Sequence, residues 1–493
     1  MSDDAVQDFA RTFRDLLEWV HGQQDGRSGS NEVVALVRGH LDEAALQRSV
    51  VSRQWPPFEH VNLQVAFDAW CREPGRTVAV HGLALPQHYG PVGLQAVLHG
   101  DGLPPLRLSA PDLVDLPSGP DSTVACWRSA LLLVTDDRGA YVLLMKAPQP
   151  NSEPVLEVEV AGLATADAQA VQRELSDLRS ALNVYRGQVL ELGHAGITFP
   201  VLPPTTRADV VLPEQVLRRV ERHTVDIADR REQLRAAGQH LKRGLLLYGP
   251  PGTGKTHTTR YLVQRLEGST VLMLSGSALH LVSQVTSLAR ELQPAVVVLE
   301  DVDLVAEDRG FGPGPNPVLF ELLDAMDGSA ADADLLFLLT TNRADLLEPA
   351  LAARPGRVDV AVEIGLPDDD ARRRLFEVYS RGVPLLVEPG DVDTVVTRTQ
   401  GVTASFLKAL VRRAVLEALS QTPGALQQVR AEHLSRALDD LLDSGQSVTR
   451  ALLGVPSDQD GPPFSMPMDR GHGGHGGAWM TASYDAMPGV YRD

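Results

Sequence analysis

The chain has 493 residues, of which 43% are hydrophobic and 22% charged, and its formal net charge is −19. This composition is typical of folded domains, and domains of ~100–200 residues predict roughly two to four folding units. The acidic balance argues against a nucleic-acid partner, because phosphate binding needs clustered Lys and Arg. Two cysteines are too few for a disulfide framework or a zinc site.

Neither a membrane span nor a secretory signal is predicted. No window is long and apolar enough for a span. The first ten residues are acidic and polar, without the basic-then-apolar order of a signal peptide. We therefore expect a cytoplasmic protein.

Residues 1–204 are predicted to form an N-terminal α+β domain. Periodicity, turn residues and clustered prolines predict, in chain order, a helix over residues 9–20, a β-hairpin over 127–145, a strand over 155–160, a helix over 166–190 and a linker at 200–204. None of these segments carries a chemical signature. We hypothesise that the domain binds a protein substrate or partner.

Residues 205–366 have the pattern of a parallel sheet built from βαβ units, with a helical lid after it. Continuous apolar runs predict strands covered by helices on both faces, at residues 245–248, 271–274, 296–299, 335–340 and 358–364. Residues 367–455 contain helical patterns and no strand pattern, which predicts a small lid. Residues 456–493, rich in Gly, Pro, Met and His, predict a disordered tail.

A phosphate-binding loop follows the first of these strands. The pattern G-x-x-x-x-G-K-[ST] is satisfied by Gly249, Pro250, Pro251, Gly252, Thr253, Gly254, Lys255 and Thr256. Glycines let backbone amides face the phosphates, and the N-terminus of the next helix favours negative charge. The motif predicts an ATP site in which Lys255 contacts the terminal phosphates and the Thr256 hydroxyl binds Mg²⁺.

Two adjacent carboxylates end a later strand. Glu300 and Asp301 follow the apolar run at residues 296–299. A P-loop protein needs an acid for Mg²⁺ and one for the attacking water, so both residues are candidate metal ligands and candidate catalytic groups. The sequence leaves open which of the two holds the metal.

The motifs together resemble those of the AAA family of ATPases. Besides the loop, the resemblance rests on residues 299–303 (LEDVD), 341–343 (TNR) and 354–359 (RPGRVD), and it covers about residues 209–442. It implies a P-loop αβα sandwich with a helical lid. It also implies an adenine site at the lid residue Ala404 and near His257 beside the loop. In the family the acidic pair is usually Asp then Glu, and here the order is inverted.

The resemblance further implies roles for three residues and an assembly state. Asn342 matches the sensor that orients the attacking water, and Arg354 and Arg357 match the arginine fingers that act on a neighbouring subunit's ATP. Fingers supplied in trans require a homo-oligomer, usually a hexameric ring in the family.

Two features bear on what such a ring acts upon. Threading members of the family have an aromatic residue in a loop after the second strand, but residues 275–282 (SGSALHLV) contain none. No H-E-x-x-H motif follows the ATPase region, so a fused metalloprotease is not predicted.

The first hypothesis is therefore an ATP-hydrolysing, chaperone-like machine that remodels a protein bound by residues 1–204. The alternative hypothesis is a nucleotide-dependent switch or scaffold that binds ATP with little hydrolysis.

Overall fold

The computed structural model describes residues 31–84, 92–99, 106–148, 155–193, 196–304, 333–343, 358–421 and 428–443. The helix predicted over residues 9–20 and the tail over 456–493 lie outside these ranges. Within them, no helix has both the length and the hydropathy to cross a membrane.

The N-terminal region is an antiparallel sheet with helices on both faces. Its strands run in the order β1-β7-β6-β5-β2-β3, with β4 paired to β5. The strands are β1 (Val51–Trp55), β2 (Thr77–Ala84), β3 (Arg107–Ser109), β4 (Asp112–Gly119), β5 (Ser122–Asp136), β6 (Gly139–Lys146) and β7 (Leu156–Ala161). The helices are α1 (Glu32–His40), α2 (Glu43–Leu46), α3 (His60–Trp70), α4 (Leu94–His99) and α5 (Thr165–Ala181).

Among the described residues of this region, two apolar clusters hold the sheet and helices together, one on each face of the sheet. Alternate residues of β5 and β6 face α3 and α5 on one side and α1, α2 and α4 on the other. The predicted hairpin is confirmed by the β5–β6 ladder, in which Asp136 pairs with Gly139. Gly139 has a φ of 105°, which few other residues adopt.

The helix predicted over residues 166–190 ends earlier, at Ala181. The Asn183 side chain accepts a hydrogen bond from the Tyr185 amide, and Gly187 has a φ of 73°. Both features are turn chemistry. Val189 then begins a new strand, so Tyr185 and Val189 matched the helical period although they lie outside the helix.

The second sheet is mostly parallel, in the order β14-β10-β13-β12-β11-β8-β9, and β9 alone of these seven is antiparallel to its neighbour. Its strands are β8 (Val189–Gly193), β9 (Gly196–Thr198), β10 (Arg243–Tyr248), β11 (Thr270–Ser275), β12 (Ala295–Glu300), β13 (Leu335–Thr341) and β14 (Val360–Glu363). The predicted strands 245–248, 271–274, 296–299 and 335–340 lie within β10 to β13. The predicted strand at 358–364 contains the shorter β14.

Helices cover both faces of this sheet. They are α6 (Glu214–His223), α7 (Val225–Asp229), α8 (Arg231–Ala236), α9 (Lys255–Arg265) and α10 (Val282–Glu291). Alternate strand residues face α10 on one side and α6 and α9 on the other, which explains the continuous apolar runs. The αβα sandwich predicted from the sequence is confirmed.

In the part of the chain after the sheet that the structure describes, four helices and a two-stranded pair share one apolar cluster. They are α11 (Asp369–Tyr379), α12 (Pro389–Arg398), α13 (Ala404–Gln421) and α14 (Ala431–Leu442), with β15 (Leu385–Leu386) parallel to β16 (Val429–Arg430). This is the predicted helical lid, with a two-residue ladder that the sequence did not predict.

Strands β8 and β9 precede the domain boundary predicted at residue 204, yet they pair into the second sheet. Polar contacts connect the N-terminal region with the second sheet and its helices. Arg179 of α5 forms ion pairs with Glu59 and with Glu291 at the end of α10, at 2.8 and 2.9 Å. The Tyr185 hydroxyl donates to the Phe58 carbonyl at 2.6 Å.

Candidate nucleotide-binding site

The phosphate loop joins the end of β10 to the start of α9. Gly249, Gly252 and Gly254 have φ values of 145°, 76° and 106°. These left-handed conformations are open to glycine and strained for other residues. A Cβ on Gly249 would also lie 2.3 Å from the carbonyl oxygen of Ile364, so a side chain does not fit there.

Lys255 is the first residue of α9 and is 5% exposed. Its Nζ donates to the carbonyls of Gly249 and Pro250, at 2.8 and 2.9 Å. Burial lowers the pKa of Lys255, and the charges of Asp301 and Asp303 oppose that shift. The loop therefore holds a buried cation against its own carbonyl oxygens, where an incoming phosphate would compete for it.

Glu300 ends β12 and lies beside the loop. The Thr256 side chain is close enough to the Glu300 carboxylate to favour its charged form. The carboxylate Oε1 is buried, and none of the described residues hydrogen-bonds to it. Burial raises the pKa of Glu300, and the adjacent Asp301 charge raises it further.

These residues fit a magnesium ion. A buried carboxylate oxygen that has no partner among the described residues, close to a hydroxyl, is the hard oxygen donor set that Mg²⁺ prefers. When bound, the ion would neutralise phosphate charge. Thr256 and Glu300 are the residues that would hold it, while Asp301 has different partners.

Asp301 lies at the end of β12, next to the end of β13. Asn342 Nδ2 is 3.3 Å from Asp301 Oδ1, and the Asp301 amide donates to Thr340 Oγ1 at 3.1 Å. Among the described residues other than glycine, Asp301 is the one with a positive φ, 50°. Asp enters this region more readily than most residues. Because β13 lies between β10 and β12, Asn342 lies between the phosphate loop and the acidic pair.

A cleft of about 510 Å³ opens between the sheet and the lid. It is lined by Val211 and Pro213 before α6, by Thr253 of the loop and by Ala404 of α13. The Ser405 amide donates to the Gly252 carbonyl at 3.0 Å, so the lid contacts the phosphate loop directly. This cleft can accept a base next to a phosphate site.

His257 does not line this cleft. Its Nε2 lies 3.1 Å from the Asp209 carbonyl. The Asp209 carboxylate pairs with Arg381 of the lid region. His257 therefore contacts the segment around Asp209, which precedes the ATPase sheet. The ion pair between Asp209 and Arg381 connects the same segment to the lid region.

Arg354 and Arg357 lie outside the described residues, so the arginine-finger prediction stays a prediction. Asp303 has contacts that the sequence reasoning missed. Its Oδ1 accepts from Thr341 Oγ1 and from the Asn342 amide, at 2.9 and 3.0 Å. The position of Asp303 two residues after Asp301 could have indicated a role in the site. Its hydrogen-bond partners could not be predicted, because they lie at the end of β13, which is distant in the sequence.

Residues 275–282, where threading members have their aromatic loop, form a 3₁₀ helix over Gly276–Leu281. Ala278, Leu279 and Val282 are 5%, 3% and 0% exposed. They share an apolar cluster with Tyr185, and Phe58 packs against that cluster. These apolar side chains are therefore part of the core.

Comparisons with known proteins agree with this geometry. The family model for the ATPase family associated with various cellular activities (AAA) matches residues 245–366. The ATP-dependent zinc metalloprotease FtsH 1 of Conexibacter woesei is 33% identical over 244 residues, which are 47% of this chain and 37% of that protein. The ATP-dependent zinc metalloprotease FtsH of Nitrosococcus oceani is 35% identical over 237 residues, or 45% of this chain and 35% of that protein. The chain thus spans little more than a third of the length of these relatives.

Proposed function

Because this chain carries a single AAA domain, at residues 245–366, we propose that it binds ATP with Mg²⁺ and hydrolyses the ATP. The observation that carries the proposal is the meeting of three strand ends. β10 leads into the phosphate loop with Lys255, β12 ends in Glu300 and Asp301, and β13 ends next to Asn342. Phosphoryl transfer needs positioning and electrostatic stabilisation, and these residues supply both.

Each residue has a distinct task in this proposal. The Lys255 ammonium leaves the loop carbonyls and contacts the terminal phosphates. Thr256 and Glu300 would hold a magnesium ion, which would supply neutralisation of the phosphate charge. Asp301, whose side chain lies beside Asn342, accepts a proton from the attacking water, and Asn342 orients that water.

We further propose that the active form is a homo-oligomer, with a hexamer as the expected ring. The support is the match of Arg354 and Arg357 to residues that complete a neighbouring site. In that case ATP turnover per chain rises with protein concentration, because loop and finger come from different subunits.

The proposed work of the oligomer is to remodel a protein bound by the N-terminal region. The apolar residues of the 275–282 segment are buried with Tyr185, which favours the N-terminal sheet over that segment as the contact with a substrate. The substrate itself is a protein partner of unknown identity.

The test is ATP turnover at increasing protein concentration, with oligomer mass measured by light scattering in ATP. We expect Asp301→Asn to lower kcat ~10²–10⁴-fold, the usual contribution of a positioned general base, while ATP binding is kept. The exposed Asp229→Asn at the end of α7 is the matched control and should leave turnover unchanged.

Arg357→Ala should also abolish turnover while ATP binding is kept, because the proposed finger acts on the ATP of a neighbouring subunit.

A second candidate function is a switch that binds ATP and hydrolyses little. The observation that favours it is the inverted acidic pair, which leaves the shorter Asp301 beside Asn342 as the candidate base. Tight ATP binding without turnover at any protein concentration would support the switch and contradict the hydrolase.

A further inference from the structure

Asp303 is a buried carboxylate outside the predicted set of site residues. It is 5% exposed. Its Oδ1 accepts from Thr341 Oγ1 and from the Asn342 amide, at 2.9 and 3.0 Å. Its Oδ2 lies 3.5 Å from Asn342 Nδ2. One carboxylate thus binds two consecutive residues at the end of β13.

The Asn342 side chain lies between two carboxylates. Its Nδ2 is 3.3 Å from Asp301 Oδ1 as well as 3.5 Å from Asp303 Oδ2. An amide nitrogen donates and an amide oxygen accepts, so carboxylates on this side select the orientation with Nδ2 toward them. The amide oxygen then lies on the opposite side, where it can accept a hydrogen bond from water.

We propose that Asp303 is a positioning residue for ATP hydrolysis, which fixes the side-chain orientation of Asn342. The inference rests on the proposed function, because Asn342 has a water to orient only if ATP is hydrolysed. Asp303 acts through Asn342 and does not touch the substrate. Without it, the Asn342 amide can rotate and present a donor where the attacking water needs an acceptor.

Asp303 also contributes a charge near Lys255, so two roles must be separated. A positioning role lowers kcat and leaves ATP affinity nearly unchanged. A role through Lys255 lowers ATP affinity instead. The ratio of these effects distinguishes the two.

The experiment uses Asp303→Asn in the full chain. This variant has the same shape but one acceptor oxygen instead of two, so it cannot satisfy Thr341, the Asn342 amide and Asn342 Nδ2 together. We expect kcat to fall ~10–100-fold, the usual effect of losing an outer partner of a functional group. The ATP dissociation constant should change less than about threefold, which is below the tenfold change that corresponds to 1.4 kcal/mol. The rise in Tm on adding ATP should therefore be nearly the same in the variant and in the unmodified chain.

A double-mutant cycle shows whether Asp303 acts through Asn342. Turnover of Asp303→Asn combined with Asn342→Ala should equal that of Asn342→Ala alone, because two residues acting as one unit are non-additive. Independent, multiplying effects would overturn the inference.

The matched control is Asp334→Asn, at the other end of β13. Asp334 is 3% exposed and pairs with Arg243 at 3.2 Å. This variant should lower stability and leave kcat per folded chain unchanged. Equal losses of kcat in Asp303→Asn and Asp334→Asn would mean that any buried charge matters, and would overturn the specific role.

A second variant keeps the test informative if Asp303→Asn does not fold. Thr341→Val removes one donor to Asp303 and should lower kcat several-fold, while Thr341→Ser keeps the hydroxyl and should restore kcat. Unchanged kcat in Thr341→Val would count against the inference. An unmodified chain that binds ATP without turnover would overturn the proposed function itself, whereas normal turnover in Asp303→Asn overturns this inference alone.

Discussion

Glu300 and Asp301 differ in backbone conformation as well as in side-chain length. Glu300 is the last strand residue of β12, and Asp301 has a φ of 50°. The Glu300 carboxylate lies beside Thr256, while Asp301 lies beside Asn342. The inverted order therefore puts the longer acid on the metal side and leaves the shorter one at a left-handed position, which Asp tolerates better than most residues.

Glu300→Gln should have opposite effects on thermal stability, which it should raise at pH 8, and on ATP turnover, which it should lower. Burial raises the pKa of Glu300 in the folded chain above its value in the unfolded chain. The folded state therefore binds this proton more tightly, and stability falls as pH rises through the interval between the two pKa values. The amide cannot ionise, so nucleotide-free Glu300→Gln should melt at a higher temperature than the unmodified chain at pH 8, with the difference shrinking at acidic pH.

The same variant should lose Mg²⁺-dependent turnover, because an amide is a poorer ligand than a carboxylate. Thermal unfolding and ATP turnover, each measured across pH, check both parts. Glu267→Gln, at an exposed position after α9, should change neither quantity. A lower melting temperature together with full turnover would contradict this account of Glu300.

At the scale of elements, the contact between α5 and α10 joins the N-terminal region to the ATPase sheet. α10 leads from the buried 3₁₀ segment to β12 and the acidic pair. Arg179 of α5 pairs with Glu291 at its end and with Glu59, and its guanidinium lies 5.2 Å from the centre of the Trp55 ring. A direct ion pair therefore joins α10 to the N-terminal region.

Arg179→Ala should lower the free energy of unfolding by about 3–5 kcal/mol, the cost of leaving one partner of a buried ion pair uncompensated. Glu59 is 4% exposed, and burial already raises its pKa with Arg179 present. Urea unfolding measures the change. Arg218→Ala removes one of the two arginine partners of Glu214, in a pair whose side chains are 72% and 58% exposed, and should cost less than about 1 kcal/mol. Equal small costs would mean that the Arg179 cluster adds nothing to stability.

At the scale of the whole molecule, the N-terminal region and the ATPase sheet are not separable at residue 204. Leu190, Leu192 and Ile197 of β8 and β9 are 0%, 3% and 8% exposed and belong to the apolar cluster of the second sheet. β8 continues that sheet beyond β11. Removing these strands would expose the edge of the sheet and part of its core.

Two truncated chains test this boundary. A chain that begins at residue 183 keeps β8 and β9, and a chain that begins at residue 205 lacks them. We expect the first to be soluble and to unfold at a higher urea concentration, because it keeps the buried side chains of both strands. Soluble yield and urea unfolding of the two chains check this, and equal stability would show that the strands are dispensable.

Much of the fold was readable from local signals. The phosphate loop directly after an apolar run predicted both β10 and the start of α9, and continuous apolar runs predicted the covered parallel strands. The turn at Asn183 was missed, because Tyr185 and Val189 happened to match the helical period. Strand β8 was not predicted for a second reason. Its first residue, Val189, pairs with Val271, which lies 82 positions further along the chain.

The sequence by itself determined the kind of site, because residue type and spacing within a few residues decide whether a loop can bind phosphate. The division of tasks between Glu300 and Asp301 needed the tertiary structure. It depends on which strand ends lie side by side, and β12 and β13 are separated by many residues in the chain. The same is true of Asp303, whose partners at the end of β13 come within hydrogen-bonding distance only when the sheet has formed.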